Sequence, residues 1–294
     1  MKKLIVNKKY DGKKLNKFLL DNIPNLSYGL FCNTLRKKDI KVNGKRINKD
    51  ITIFDGDEIL VYISDELLDS KTSSTSINLD IVYEDENILV INKPENIEVT
   101  GNNSLTSLIH KKYENSNFKP MPCHRLDRNT TGLILYAKNE EALNILLEKF
   151  KNHEIEKHYL ALVYGIPNVD YKRSESYLFK DNKKSMVYIS DTPKKGYVKI
   201  ITSFSVLEKR SNNTSLLDVQ IETGKTHQIR AHLAHLGYPI VGDGKYGKNE
   251  INKQFGKKSQ MLCSYSLKFN FKTDSGIFNY LNFKCISLES FDFC

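Results

Sequence analysis

A chain of 294 residues with 39% hydrophobic side chains is long enough for two domains and apolar enough to bury a core, which excludes a wholly disordered protein. Its 45 Lys and Arg against 35 Asp and Glu give a net charge of +10 and a pI near 9.1, a balance that favours a polyanionic partner, nucleic acid before a membrane surface. The five cysteines, Cys32, Cys123, Cys263, Cys285 and Cys294, lack the paired spacing of a zinc site or a disulfide framework. With no signal-like apolar run in the first fifteen residues and no stretch of membrane-spanning length, a reducing cytoplasm is the expected compartment.

In chain order, Leu15, Phe18, Leu19 and Ile23 fall on one helical face that stops before Pro24, and Ser27 is placed to cap a second helix reaching Leu35. Asn43-Gly44, between Ile40-Lys41-Val42 and Lys45-Arg46-Ile47, predicts a tight hairpin, since these two residue types tolerate positive backbone angles. A further strand from Glu58 to Ile63 is expected after Asp55-Gly56-Asp57. Residues 1–65 hold 14 Lys and Arg against 8 Asp and Glu, so +6 of the total +10 lies there. Arg36, Lys37, Lys38, Lys41, Lys45 and Arg46 gather where the second helix meets the hairpin. Composition is compatible both with a phosphate clamp and with a solvated lysine-rich face. Residues 66–79, with Lys71-Thr72-Ser73-Ser74-Thr75-Ser76 at their centre, are expected to be a flexible linker to a second domain over 80–294.

That domain opens with Ile81-Val82-Tyr83, a turn at Asp85-Glu86-Asn87, and Ile88-Leu89-Val90-Ile91 running into Lys93-Pro94, which reads as a strand pair. A helix is expected over about Ser104 to Tyr113, and another carrying Ala142, Leu143, Leu146, Leu147 and Phe150 with Asn139 as its cap. Between them stands His124-Arg125-Leu126-Asp127-Arg128-Asn129-Thr130-Thr131-Gly132, feeding the apolar run Leu133-Ile134-Leu135-Tyr136-Ala137. A lone aspartate between two arginines, on a loop before a buried strand, is placed as a positioned charge, because opposite charges nearby favour the ionised form. The same residues allow Asp127 to cap a turn with Arg125 and Arg128 solvated.

The strand Lys157 to Tyr164 ends at Gly165, and short strands with polar turns are expected from there to Lys209. Leu217 to Ile221 should turn sharply, through Glu222-Thr223-Gly224-Lys225-Thr226-His227-Gln228-Ile229-Arg230, into a short helix capped by Thr226 and closed at Gly237. Gly224-Lys225-Thr226 is not a nucleotide-binding phosphate loop, because the glycine that motif needs upstream is Val219. Gly242-x-Gly244-x-x-Gly247 lacks both the apolar helix and the later acidic residue of a dinucleotide site, so turn glycines explain it better. His232 and His235 have no third ligand at matching spacing, and no metal is expected.

The stretch around Asp127 resembles the His-Arg-Leu-Asp-x-x-Thr-Ser-Gly signature of the RluA-type pseudouridine synthases, with Thr131 where serine is usual; the swap keeps the hydroxyl. Lys93-Pro94, Lys157-x-Tyr159-Leu160-Ala161 and the Thr223 to Arg230 turn follow in that family's order, extending the resemblance over nearly the whole chain. The helix pair, the Val42-Asn43-Gly44-Lys45 hairpin and Gly56-Asp57 are similar to the alpha-L RNA-binding domain found in a small-subunit ribosomal protein and in many RNA-modifying enzymes. The resemblance implies an α+β protein: a small N-terminal α/β RNA-binding domain, then a mixed, largely antiparallel sheet flanked by helices, with an active cleft across its middle.

It also implies roles. The family's essential aspartate falls on Asp127, its base-stacking tyrosine on Tyr159, its ion-pairing arginine on Arg230 and its apolar contact to uracil on Ile229. Arg125 matches an arginine thought to enter the RNA where the target base leaves. Chemistry agrees, since a uridine must leave its stack before C1′ can be reached, and an aromatic platform then receives the base. Without the resemblance Tyr159 also reads as an ordinary strand tyrosine. One carboxylate suffices either to attack the sugar or to remove the 2′ hydrogen, and no redox step or external group enters, so no cofactor is expected. The expected partner is structured RNA, large-subunit ribosomal RNA before transfer RNA, acted on by a monomer. The rivals are a glycoside or nucleoside hydrolase, which would usually show two facing carboxylates, and a non-catalytic RNA-binding protein.

Overall fold

The computed structural model describes residues 2–24, 26, 28–63 and 78–289 and divides into two units, residues 1–78 and 79–294. In the first, β1 (Lys2–Ile5) is followed by α1 (Leu15–Asn22), α2 (Tyr28–Arg36), β2 (Ile40–Val42), β3 (Lys45–Ile47) and β4 (Glu58–Val61). The strands form an antiparallel sheet in the order β1-β4-β2-β3. Leu15, Phe18, Leu19, Phe31 and Leu35 pack against Ile40, Ile59 and Val61 in one core, so each helix turns its apolar face to the sheet. The hairpin closes as its sequence requires, with φ of 49° at Asn43 and 75° at Gly44. The expected cap Ser27 and residues 66–77 of the expected linker lie outside the described residues.

The second unit comprises β5 (Ile81–Glu84), β6 (Ile88–Lys93), α3 (Leu105–Lys112), β7 (Met121–Pro122), β8 (Thr131–Ala137), α4 (Glu140–Lys151) and β9 (Ile155–Tyr164). It continues with β10 (Tyr171–Asp181), β11 (Met186–Ser190), β12 (Val198–Arg210), β13 (Thr214–Ile221), α5 (Gln228–His235), α6 (Asn249–Gln254), β14 (Leu262–Phe269) and β15 (Cys285–Ser287). All these strands join one 11-stranded sheet whose main path runs β11-β10-β12-β13-β9-β14-β8-β6-β5, with β15 on β14 and β7 on β8. Every pairing among the described residues is antiparallel except β14 with β8.

Strands β6 and β8 read as unbroken apolar runs because both of their faces are covered. Leu89, Ile91, Ile134 and Tyr136 join one core with α3 and α5, through Leu105, Ile109, Ile229 and Leu233. Ile88, Val90, Leu133 and Leu135 join the opposite core with α4, through Ala142 and Leu146. Asn139 caps its helix as expected, Oδ1 accepting from the Ala142 N–H at 2.8 Å, and Ser104 proves to cap α3, its hydroxyl accepting from the Ser107 N–H at 3.2 Å.

Three expectations need correction. The segment expected to hold short strands carries β10 and β12, of 11 and 13 residues, and their modest apolar content reflects one solvated face. Thr226 does not cap α5. The helix starts one residue later, at Gln228, behind a left-handed His227 with φ of 54°. There the Gln228 side chain ties the preceding turn to β12, accepting from the Thr223 hydroxyl at 2.9 Å and the Lys225 N–H at 3.1 Å while donating to the Ile201 carbonyl at 3.0 Å. Strands β1 and β14 were not anticipated, although β14 lies near the middle of the large sheet. The far end of α5 is as read: Gly237, φ 93°, donates to the Ala234 carbonyl, and Tyr238 to that of Leu233.

Candidate active site

Asp127 stands on the loop between β7 and β8, which several side chains hold from below. Lys93, at the end of β6, is fully buried and donates to the carbonyls of Pro94 at 2.7 Å, Ile97 at 3.0 Å and Arg128 at 2.9 Å. Burial pushes its ammonium down to about 8, an effect that Asp127 and Glu95 partly oppose. A turn brings the Thr130 N–H to the Asp127 carbonyl, and Gln260 Nε2 donates to the Thr130 hydroxyl at 2.9 Å. His124 faces inward, its Nε2 accepting from the Leu135 N–H at 3.1 Å, and burial, helped by Lys157, pushes its imidazole down to about 3. It is therefore a neutral structural member of the motif.

The partner of the Asp127 carboxylate is neither neighbouring arginine. Arg125 is exposed, and Arg128 Nε donates to the Asn96 carbonyl at 3.1 Å. Instead Arg230, on α5, donates from Nη1 to Asp127 Oδ2 at 2.9 Å. The other edge of the same guanidinium grips Asp243, Nε to Oδ2 at 2.7 Å and Nη2 to Oδ1 at 2.9 Å. Asp243 is fully buried. Burial alone would raise its carboxyl, but the bonds and charge of Arg230 and the N–H groups of Lys245 and Tyr246 hold it below the ordinary range. Burial works against the Arg230 charge too, and the two carboxylates outweigh it.

Asp127 lies at the seam of two cavities. One, of about 220 Å³, is lined by Leu126, Tyr159, Ile221, Ile229 and Leu262 together with Arg125, Lys157 and Arg230. The other, of about 450 Å³, is lined by Arg128, Lys245, Lys258 and Gln260 among others. Tyr159 is buried on β9, and burial with the adjacent Asp127 charge pushes its phenol up, so the ring stays neutral. Both cavities carry cations and share Asp127; the first adds the aromatic and aliphatic walls, and the second adds Arg128, Lys245 and Lys258 with Glu98 among them. Arg125, Asp127, Tyr159, Ile229 and Arg230, far apart in sequence, all line the smaller cavity.

The first unit is separate in this respect. Lys41 and Arg46 face each other across β2 and β3, with Lys41 Nζ 5.3 Å and the Arg46 guanidinium 6.0 Å from the centre of the half-exposed Tyr62 ring. Arg46 Nη1 also reaches the Lys38 carbonyl at 3.3 Å. Arg36, Lys37, Lys38 and Lys45 are exposed.

A model of the RNA pseudouridylate synthase family matches residues 87–235, half of the chain, spanning β6 to α5. The chain belongs to this family. An RNA pseudouridine synthase of Mycoplasma capricolum is 33% identical over 97% of this chain and 97% of its own length. Ribosomal large subunit pseudouridine synthase C of Rickettsia bellii is 34% identical over 82% of this chain and 84% of its own. Among solved structures, human RNA pseudouridylate synthase domain containing 1 shares the fold, with a TM-score of 0.58 at 24% identity over 73% of this chain and 84% of that one.

Other site residues escaped the sequence reading. Asp243 was hidden inside the glycine pattern Gly242-x-Gly244-x-x-Gly247, where Gly242 and Gly247 are structural, a Cβ lying 2.0 Å from the Ser259 carbonyl oxygen at the first and 2.3 Å from that of Asp243 at the second, while Gly244 has open space around it. The available signal was an acidic residue in a tight glycine turn, a fixed position for a charge. His227 and Tyr246 gave none. Among the described residues no His, Cys, Asp and Glu cluster could hold a metal ion, and no helix is long and apolar enough to cross a membrane.

Proposed function

We propose that this pseudouridine synthase acts on specific uridines of large-subunit ribosomal RNA, with Asp127 as the catalytic carboxylate. The observation that carries this reading is the carboxylate–guanidinium–carboxylate chain Asp127–Arg230–Asp243 at the mouth of a cavity walled by Tyr159 and Ile229. A flipped uracil stacks on Tyr159 with Ile229 against its other face, while Arg125 fills the space vacated in the RNA. Arg230 donates to Oδ2, so Oδ1 is the oxygen left to react, either attacking C1′ or taking the 2′ hydrogen. The N1–C1′ bond breaks, the uracil turns, and C5 bonds to C1′ as the Asp127 ester is released or, on the other route, the 2′ hydrogen returns from Asp127 to C2′; the proton lost from C5 is matched by one gained at N1. The bond changes balance without an added oxidant, reductant or group donor.

The ribosomal substrate is supported by the relatives named for the large subunit and by the first unit's resemblance to the alpha-L domain. Its basic side chains around Tyr62 clamp phosphates of the RNA. Every proposed catalytic group comes from one copy of the chain, which acts as a monomer, and the cytoplasm, where such RNA is made, is its place of work.

Pseudouridine mapping in total RNA from cells with and without the gene tests the substrate. Loss of signal at discrete large-subunit positions is expected; loss confined to transfer RNA overturns the ribosomal assignment. For the mechanism, purified Asp127→Asn should bind target RNA within about threefold of wild type and give no measurable isomerisation, since the amide keeps the shape without the charge. Turnover above a few per cent would remove Asp127 from the catalytic role.

A further inference from the structure

His227 is the unexplained group nearest the carboxylate. Its Nε2 lies 3.8 Å from Asp127 Oδ2, too far for a direct hydrogen bond, and the residue lines both cavities. Its backbone is held left-handed, at φ 54°, an uncommon conformation for a residue with a side chain. Its other nitrogen, Nδ1, is 2.8 Å from the Tyr246 hydroxyl.

That hydroxyl favours the tautomer with the proton on Nε2. The Tyr246 oxygen already accepts from the Val187 N–H at 2.9 Å, leaving its own proton to be placed, and His227 Nδ1 is the acceptor beside it. With Tyr246 donating to Nδ1, the Val187 N–H and the Tyr246 O–H both have acceptors and the neutral ring holds its hydrogen on Nε2, facing the cavities with no protein acceptor in reach among the described residues. Burial pushes the imidazole below its ordinary value, helped by Arg230 and Lys245 and opposed by Asp127 and Asp243, which keeps the ring neutral at physiological pH. Tyr246 is fixed in turn: its ring lies 5.4 Å from the Arg230 guanidinium and its N–H bonds to Asp243 at 3.1 Å.

We propose that the His227 Nε2–H is the donor that recognises the ribose 2′-oxygen of the target nucleotide, fixing C1′ against Asp127. The base occupies the apolar cavity and the RNA backbone the cationic one, so the sugar sits at the seam, where His227 stands. An oxygen about 2.8 Å from both His227 Nε2 and Asp127 Oδ2 closes a triangle on their 3.8 Å separation. The 2′-hydroxyl suits that point because it accepts from the imidazole and donates to the carboxylate at once. It is also the group that distinguishes RNA from DNA.

The proposal rests on the pseudouridine synthase reading, and a substrate-atom cycle separates the two. Single-turnover rates and affinities are measured on a short RNA bearing the mapped uridine, with a 2′-hydroxyl or a 2′-fluoro group at that nucleotide only. Wild type is expected to lose about a hundredfold in rate on the fluoro substrate, because fluorine cannot donate to Asp127 and accepts only weakly from His227, about tenfold for each hydrogen bond. His227→Asn, which tolerates the left-handed backbone but is too short to reach, should be about tenfold slower on the hydroxyl substrate and about tenfold less sensitive to the swap, keeping only the loss of the bond to Asp127. His227→Gln, whose amide N–H extends about as far as Nε2, should regain most of the rate and the sensitivity. Tyr246→Phe should show a partial loss of both with unchanged RNA affinity, and it carries the test should His227→Asn not fold. Equal sensitivity to the swap in wild type and His227→Asn overturns the proposal, as does a wild type that ignores the swap. A wild type that isomerises neither RNA overturns the pseudouridine synthase reading instead.

Discussion

At the scale of single residues, Arg230 holds two carboxylates of different character. Asp243 is fully buried and takes two of its hydrogen bonds; Asp127 is partly open to the cavities and takes one. The buried carboxylate therefore fixes the guanidinium, and the guanidinium fixes the reactive one. Arg230→Met should abolish isomerisation and destabilise the protein by about 3–5 kcal/mol in urea denaturation, because Asp243 is left buried and unpaired. Adding Asp243→Leu to that variant should restore much of the stability and none of the activity. A double variant no more stable than the single one would show that the orphaned Asp243 is not the source of the loss.

At the scale of elements, the meeting of β8 with β14 positions the site. Gly132, one residue into β8 and five beyond Asp127, has φ of 104°, and a Cβ there would lie 2.2 Å from the Ser264 carbonyl oxygen of β14. Glycine is thus required twice over, by its dihedral and by the close approach. Gly132→Ala should cost at least about 2 kcal/mol and slow isomerisation, since the displaced strand end carries the Asp127 loop. Gly224→Ala is the matched control. A Cβ there meets nothing within 4 Å, and its stability should change by less than about 0.5 kcal/mol. Equal thermal shifts in the two variants would refute the close-packing argument.

At the scale of the whole molecule, buried imidazoles link stability to pH. Burial holds His124 at about 3 and His232 at about 4, against an ordinary value of 6.5. Between roughly pH 6.5 and 4 the unfolded chain takes up protons at these positions that the folded chain does not, so stability falls as pH falls through that window. Each imidazole contributes about 1.4 kcal/mol per pH unit to the slope. His232→Gln should make the slope shallower by one such increment in denaturation at pH 6.5, 5.5 and 4.5, and an unaltered slope would contradict the assignment. Removing residues 1–78 should weaken RNA binding and reduce the slope of log affinity against log salt by roughly 0.7–0.9 for each phosphate that the first unit neutralises. Residues 79–294 should still isomerise a short target at near the full single-turnover rate. An unchanged salt slope would make the basic side chains of the first unit a solvated face.

What the sequence determined by itself was local. Asn43-Gly44 made a hairpin, Ser104 and Asn139 capped helices, and Gly237 ended one, because each signal acts on hydrogen bonds and dihedrals within a few residues of itself. The Asp127 motif and its ordered companions marked the family for the same reason, as short strings legible without a fold. The pairing of Asp127 with Arg230, 103 positions away, was implied by the family resemblance and not by the residues beside Asp127. Tertiary structure alone placed β14 near the middle of the sheet and moved the start of α5 behind His227. It alone revealed Asp243 as the buried anchor of Arg230 and Tyr246 as the group that orients His227. The physical reason is that long-range pairings are chosen by burial. A charge or hydroxyl removed from water takes whichever partner the packed sheet brings within hydrogen-bond reach, and spacing along the chain carries no record of that choice.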